Sequence, residues 1–371
     1  MESVEERRSD RNDTGRLSQL FHPERMRSVV AFAQGSGLLA AVIALFGVFT
    51  VVDSRFLSHA NLLAILVSVA IVGIVAIPGA MLIVSGYVDF TVGSVAVLAA
   101  IAFGELVVIA GMSVALAALL ALAIGASWGL LAGFLICRLE LSAIVVTLGG
   151  FAGLRGIAEY ISEGQTQFGF GEGFRALGNS TFLGLPAPVW MLVVLFLLGF
   201  YLWYLSPFGR HITATGSDPV AAHALGIKTK RLPLQLYIAS GTLSALGGLI
   251  LASQLDASSL SIGVGLEIQV LTAILLGGVA FSGGRGSLFG VLLGVLFIGI
   301  LTNGLVVANV SPYITNVAVG AALVLAAGMD VLYQRMDRLA VRHRDNPAGV
   351  VTTAPTGKDS QAESPPPEGT R

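Results

Sequence analysis

Charge is scarce in this sequence. Of 371 residues only 12% are Asp, Glu, Lys or Arg, while 55% are hydrophobic. Soluble domains run at about 25% charged, so an ordinary cytosolic enzyme is excluded and a membrane-embedded chain is expected. Cysteine is almost absent. The single Cys137 excludes an intramolecular disulfide framework and a cysteine-clustered zinc site. Five scattered His argue against a metal centre, and a formal net charge of −1 gives no case for a nucleic-acid partner. Catalytic signatures are missing too. There is no phosphate loop, no HExxH, and no GxGxxG opening a helix after a strand. The acids available for acid–base chemistry, Asp89, Glu105, Glu159 and Asp256, lie in or beside apolar segments without a local motif. Nothing argues for catalysis, and neither cofactor nor metal is expected in this chain.

What the chain does have is long apolar runs. A crossing of the hydrocarbon core needs about 20 apolar residues. Ten segments qualify or nearly do, at about 29–52, 62–84, 91–110, 112–137, 141–161, 189–205, 232–254, 267–281, 288–308 and 311–333. The eighth is short and Gly-flanked, as in a half-helix or re-entrant element. The expected fold is therefore all-α: a polytopic transmembrane bundle of about ten spans with one short or broken span. Residues 1–28 form a basic tail, 29–333 the membrane domain, and 334–371 a second tail. With five Pro beyond Asp345, that tail is expected to be largely disordered.

Lys and Arg positions orient the bundle. With both termini cytoplasmic, sixteen Lys and Arg up to Arg344 fall inside, among them Arg138, Arg210, Lys228, Lys230, Arg231 and Arg285. Only Arg55 and Arg175 fall outside. One miscounted span would move every later loop across the membrane and destroy this bias. Gly125, Gly129 and Gly133, and likewise Gly286, Gly290 and Gly294, line single helix faces. Such faces let backbones approach in lipid, either as plain packing or as a sliding contact.

Three stretches break the apolar pattern. The first, Ser85 to Ser94, holds Gly86, Asp89, Thr91 and Gly93. It reads either as a broken helix lining a pathway or as a turn in which Asp89 or Thr91 caps the next helix. The second carries Thr147, Leu148 and Gly149, then Arg155 and Gly156. Glu159 follows Arg155 by four residues, so an Arg–Glu pair on one face is available, as is outward snorkelling. The third is the connection 206–231. Ser217 or Asp218 fits a helix N-cap, Pro219 the first position and Gly226 the stop. A helix this short is marginal alone in water. Its apolar face of Val220, Ala221, Ala224 and Leu225 therefore suits a partner groove or the bilayer surface.

At these residues the sequence resembles the permease subunits of bacterial ABC importers for monosaccharides, over about residues 55–333. The family's Gly-x-x-Asp-Leu-Ser-x-Gly-Ser box matches Gly86 to Ser94, with Phe90 and Thr91 substituted. Its Thr-Leu-Gly and Arg-Gly box matches Thr147 to Gly149 with Arg155 and Gly156. Its cytoplasmic loop matches Phe208, Gly209, Arg210, Gly216, Ala221, Ala222, Gly226 and Ile227. A fourth box matches Leu276, Gly277, Gly278, Ser282, Gly283, Gly284, Gly286 and Ser287, and Asn303-Gly304 follows.

The resemblance implies a homodimer or a pseudo-dimer of permeases in the bacterial cytoplasmic membrane. It also implies cytoplasmic ATPase subunits carrying ATP and Mg²⁺, and an extracytoplasmic sugar-binding protein. It makes Gly209, Arg210, Asp218, Ala221, Ala222, Gly226 and Ile227 the coupling element. An acid usual before the Ala pair is replaced by Val220, with Asp218 two residues earlier. Candidates for the translocation path are Gly86, Asp89, Thr91, Gly93, Ser94, Thr147, Arg155, Gly277, Gly278, Ser282 and Asn303. A branched-chain amino acid or nucleoside importer shares the same architecture. An ion-coupled secondary transporter is the alternative of another class, with Asp89, Glu105 and Glu159 as its candidate acids, but it has no role for the capped external helix.

Overall fold

Backbone propensity and the bilayer leave one economical solution for such runs, the helix, because every peptide group must be satisfied within its own segment. The computed structural model describes residues 23–345, with side chains from residue 37 to 331. Most of the basic leader and all of the Pro-rich tail therefore lie outside the described residues. Residues up to Val331 belong to one compact unit, and Leu332–Arg371 to a second.

In chain order the helices are α1 (Pro23–Val52), α2 (His59–Val84), α3 (Val92–Gly104), α4 (Val114–Cys137), α5 (Ala143–Ser162), α6 (Glu172–Asn179), α7 (Ala187–Phe200), α8 (Pro207–Ser217), α9 (Pro219–Ala224), α10 (Arg231–Leu255), α11 (Leu266–Leu276), α12 (Leu288–Val307) and α13 (Pro312–Asp345). One π-helical turn extends α3 over Glu105–Ile109, and another extends α7 over Tyr201–Leu205. Among the described residues eight helices are long and apolar enough to cross a membrane, and Gly37–Val52 and α11 are shorter apolar ones. All ten expected segments are thus helical. The eighth is the short one: 11 residues in α11, about 16 Å at 1.5 Å per residue, half of a hydrocarbon core of about 30 Å.

The centre of the bundle is α10. It packs against α2, α3 and α4, and its Tyr237 is completely buried. Small residues make this possible. A Cβ on Gly129 would meet backbone of Tyr237 and Ile238, and one on Gly125 would meet backbone at Gly241. On the other side of the bundle Gly290 and Gly294 of α12 lie against the backbone of Gly277 and Ala273. Both glycine faces serve packing.

The two ends of the bundle carry unequal charge. Arg138, Arg210, Lys228, Lys230, Arg231 and Arg285 collect at one end, where Lys230 pairs with Glu140 and holds its carboxyl below the usual range. This is called the basic end below. Arg55, paired with Asp53, and Arg175, 3.9 Å from Asp256, lie at the opposite end. Long-range contacts agree with the alternation. Asn303 donates to Asn61 at the far end (3.0 Å), while Gly284 N–H donates to the Val84 carbonyl at the basic end (2.8 Å).

Two features depart from the sequence reading. The connection 206–231 contains a further helix, α8, ahead of α9. Its signal is present: Ser206 accepts from Phe208 N–H, and Pro207 takes the first helical position. At the far end, residues 163–187 hold more than a loop. The antiparallel strands β1 (Gln167–Phe168) and β4 (Ala257–Ser258) pair, as do β2 (Thr181–Phe182) and β3 (Leu185–Pro186). Helix α6 docks on the end of α10, where Ser253 Oγ accepts from Gly178 N–H (2.7 Å) and donates to the Phe174 carbonyl (2.6 Å).

Candidate functional site

At the basic end, α9 is specified at both termini by local chemistry. Asp218 Oδ1 accepts from the N–H groups of Val220 and Ala221, both at 2.9 Å. Gly226 takes φ +82°, and the chain closes with Gly226 N–H on the His223 carbonyl and Ile227 N–H on the Ala222 carbonyl. That pair of bonds is the Schellman stop, which needs a residue tolerant of positive φ. Only Ala222 turns inward, at 2% exposure, whereas Val220 and Leu225 stand 79% and 81% exposed. Ala221 and Arg210 are exposed as well. The helix presents an ordered apolar face with no partner within the described residues.

Behind α9, α8 is locked into the bundle by glycine. Gly209 lies on the backbone of Trp203. Gly216, near the end of α8, touches the Val84 carbonyl, and a Cβ there would come within 2.7 Å of Gly284 N. Gly283 (φ +83°) faces the backbone of Gly86 and the Gly216 carbonyl, each 3.1 Å from its would-be Cβ. Three of the boxes singled out in the sequence therefore meet at one point: the end of α2, the end of α8 and the loop 277–287. Backbone touches backbone here, so displacement of α8–α9 must move both neighbours.

From Gly86 the chain turns back into the bundle unwound, and α3 starts only at Val92. Tyr237 donates to the Val88 carbonyl (2.9 Å), and Ser240 donates to Asp89 Oδ2 (2.8 Å). Ser240 lies nine residues beyond Arg231, about 13 Å along α10. Asp89 thus sits well inside the bundle. Its Oδ1 accepts from Thr91 N–H (2.9 Å) and Thr91 Oγ1 (2.6 Å), and Thr91 Oγ1 in turn accepts from Trp128 Nε1 (2.9 Å). Both sequence readings contribute: the stretch is a broken helix, and it is Asp89, not Thr91, that supplies the cap-like acceptor.

A second unwound piece enters from the far end. Residues 259–265 lead into the half-helix α11, and the Gly263 carbonyl of that segment and the Glu267 side chain of α11 both press on Gly93. Ser94 Oγ donates to the Phe151 carbonyl (2.8 Å), which brings α5 to the same level. Thr147, fully buried, donates to the Ala143 carbonyl of its own helix (2.7 Å). Arg155 does not pair with Glu159. Its guanidinium reaches the Leu260 carbonyl at 3.5 Å and lies within electrostatic reach of Glu267, because α5 turns position 155 toward the unwound segment. Glu159 is exposed, and Glu105 accepts from Gln167 Nε2 (3.2 Å) at the far end. Gly277 and Gly278 (φ +80°) close α11, and Ser282 lies exposed in the loop beyond. Asn303 stands apart, with Asn61 at the far end. Glu267 was not singled out by sequence reasoning, although an acid opening an apolar segment is itself the signal.

A helical bundle with two unwound segments meeting inside it, and a capped helix outside it at the basic end, is the architecture of a multi-pass membrane protein. Residues 61–327 match the model of the family described as "Branched-chain amino acid transport system / permease component", and the chain belongs to that family. It is 33% identical to the ribose import permease protein of Bacillus subtilis over 79% of this chain and 90% of that protein. It is 30% identical to the L-arabinose ABC transporter permease protein of Azospirillum brasilense over 83% and 90% respectively. It is 31% identical to the fructose import permease protein of Rhizobium meliloti over 79% and 84%. No solved structure matches the chain.

Proposed function

We propose that this chain is the membrane permease of an ABC-type importer for a monosaccharide. It works in the bacterial cytoplasmic membrane with the basic end inside. It pairs with a second permease, identical or paralogous. Cytoplasmic ATPase subunits bind ATP and Mg²⁺, and an extracytoplasmic binding protein delivers the sugar. ATP binding and hydrolysis are converted into alternating access through the coupling element around α9. The observation that carries this reading is the exposed, doubly capped apolar face of α9 at the basic end. A groove in a partner is its natural complement. The sugar assignment rests on the relatives that import ribose, arabinose and fructose.

Reconstitution tests the reading. In proteoliposomes with the cognate ATPase and binding protein, radiolabelled D-ribose, L-arabinose or D-fructose should accumulate only with ATP. Uptake by the chain alone under an ion gradient would overturn the ABC assignment. ATP-dependent uptake of L-leucine but of no sugar would replace the sugar assignment with the substrate class in the family's description.

The coupling element yields its own expectation. At Gly226, φ +82° is incompatible with proline. Gly226→Pro should abolish stimulation of the ATPase by loaded binding protein, with the purified variant keeping its size-exclusion profile. The double change Val220→Asp and Leu225→Asp should weaken ATPase pull-down by about tenfold or more, the effect of losing an anchor of roughly 2 kcal/mol. Unchanged stimulation and pull-down in both variants would remove α9 from the coupling path.

A further inference from the structure

Charged side chains inside a bilayer face the protein interior or water, not lipid. Two such side chains lie at mid-depth on a partly open face of this bundle. Arg155 lies twelve residues beyond Ala143, about 18 Å along α5. Glu267 opens the half-helix α11 and rests on Gly93, next to Ser94, whose hydroxyl bonds α5 at Phe151. Both charged side chains are only half-buried. Their surroundings open outward: Val264 and Ile268 are 57% and 44% exposed, and nothing lies within 4 Å of a Cβ placed on Gly153 or Gly156. Lipid against the two charged groups would be costly, which favours a water-accessible face here.

The bonding of the pair is incomplete in a way that points to a ligand. Glu267 Oε2 is shielded yet accepts no hydrogen bond, although the carboxylate also faces the backbone N–H groups of Gly265 and Glu267 at the start of its own helix. Arg155 makes only a long contact with the Leu260 carbonyl, and no ion pair closes between Arg155 and Glu267, although each lies in the other's field. A guanidinium supplies donors only and a carboxylate acceptors only. A neutral polyhydroxyl can satisfy both, because each hydroxyl donates and accepts. The opposite charges also cancel at a distance, so the site does not concentrate cations or anions as a lone carboxylate or guanidinium would.

We propose that Arg155 and Glu267, at the meeting of the two unwound segments, form a sugar-hydroxyl contact in the translocation pathway and help determine which sugar passes. The proposal rests on the importer reading above. Glu267 is the acceptor, Arg155 the donor, and Gly93 is small so that the carboxylate can reach this position.

The test uses the full transporter in proteoliposomes, with saturating loaded binding protein and D-ribose or D-fructose as probes. Two quantities are read, ATPase stimulation and sugar molecules transported per ATP. In Glu267→Gln and Arg155→Gln, sugars per ATP should fall about tenfold, the loss expected for one charge-assisted hydrogen bond. The fall should differ between the two sugars. ATPase stimulation should stay within about twofold, and Arg155→Lys should restore part of the transfer. Unchanged sugars per ATP in both Gln variants would overturn the proposal. So would an equal fall in ATPase stimulation and transport, which marks a packing defect. Wild-type vesicles without ATP-driven sugar uptake count instead against the importer reading on which the pair's assignment depends.

Discussion

Gly216→Ala should disable transport while Gly47→Ala does not. The Cβ at position 216 would strike the Val84 carbonyl and crowd Gly284 N. These are backbone atoms already joined by the Gly284–Val84 hydrogen bond of 2.8 Å, so no rotamer change relieves the clash. Overpacking of this kind costs about 1–3 kcal/mol, and a rigid neighbour puts it at the upper end. The thermal midpoint in detergent should drop by roughly 5 °C. The functional loss should be larger than the stability loss, because the clash separates α8 and α9 from α2 and the 277–287 loop together. A coupling free energy of about 1–3 kcal/mol corresponds to about 5–150-fold in response. Gly47→Ala, where nothing lies within 4 Å, is the matched control and should behave as wild type. Equal behaviour of the two variants would show that the junction transmits nothing.

The second large effect is expected at Asp89. In Asp89→Ala, Thr91 N–H, Thr91 Oγ1 and the Ser240 hydroxyl lose their shared acceptor. Each buried donor left unpaired costs roughly 1–3 kcal/mol. The loss also propagates, since Trp128 depends on a Thr91 hydroxyl oriented by Asp89. The alanine variant should be destabilised by about 3 kcal/mol or more, with a changed tryptophan emission maximum. Asp89→Asn keeps one carbonyl oxygen for Thr91 and should retain the fold, with a smaller loss. A melting midpoint for the alanine variant equal to wild type would show that the carboxylate is not the keystone of the unwound segment. An ion-coupled transporter would need this acid free to exchange a cation or proton. Three hydrogen bonds that hold it in place fit a positioning role instead.

Legibility followed the range of the forces. The capped helix α9 could be read because all its determinants, Asp218, Pro219 and Gly226, lie within nine residues and act through local hydrogen bonds. Helix α8 carries the same signature at Ser206 and Pro207, and it went unread. The Arg155–Glu159 pair failed for the opposite reason. Helical spacing makes the contact available, but the side chain is claimed by Leu260 and Glu267, more than a hundred residues away. Glu267 was missed because position 267 reads as the edge of a span, whereas the folded chain carries that edge to the middle of the bundle. The glycines gave the reverse lesson. As a count they said only that helices pack closely, and only the fold says that Gly86, Gly216 and Gly283 meet.

By itself the sequence determined the ten apolar segments, the short eighth one, the gathering of positive charge at one end and the external capped helix. Each follows from a requirement imposed along the chain: bilayer thickness, the satisfaction of backbone groups in lipid, and capping chemistry within a turn. Tertiary structure alone decided which unwound segments meet, which acid is fully bonded and which is left short of partners, and how α8 is fastened to α2. Those outcomes depend on contacts between residues about 60 to 200 positions apart, and no local pattern encodes them. They arise only when α10 and its glycine-lined neighbours have closed around the interrupted helices.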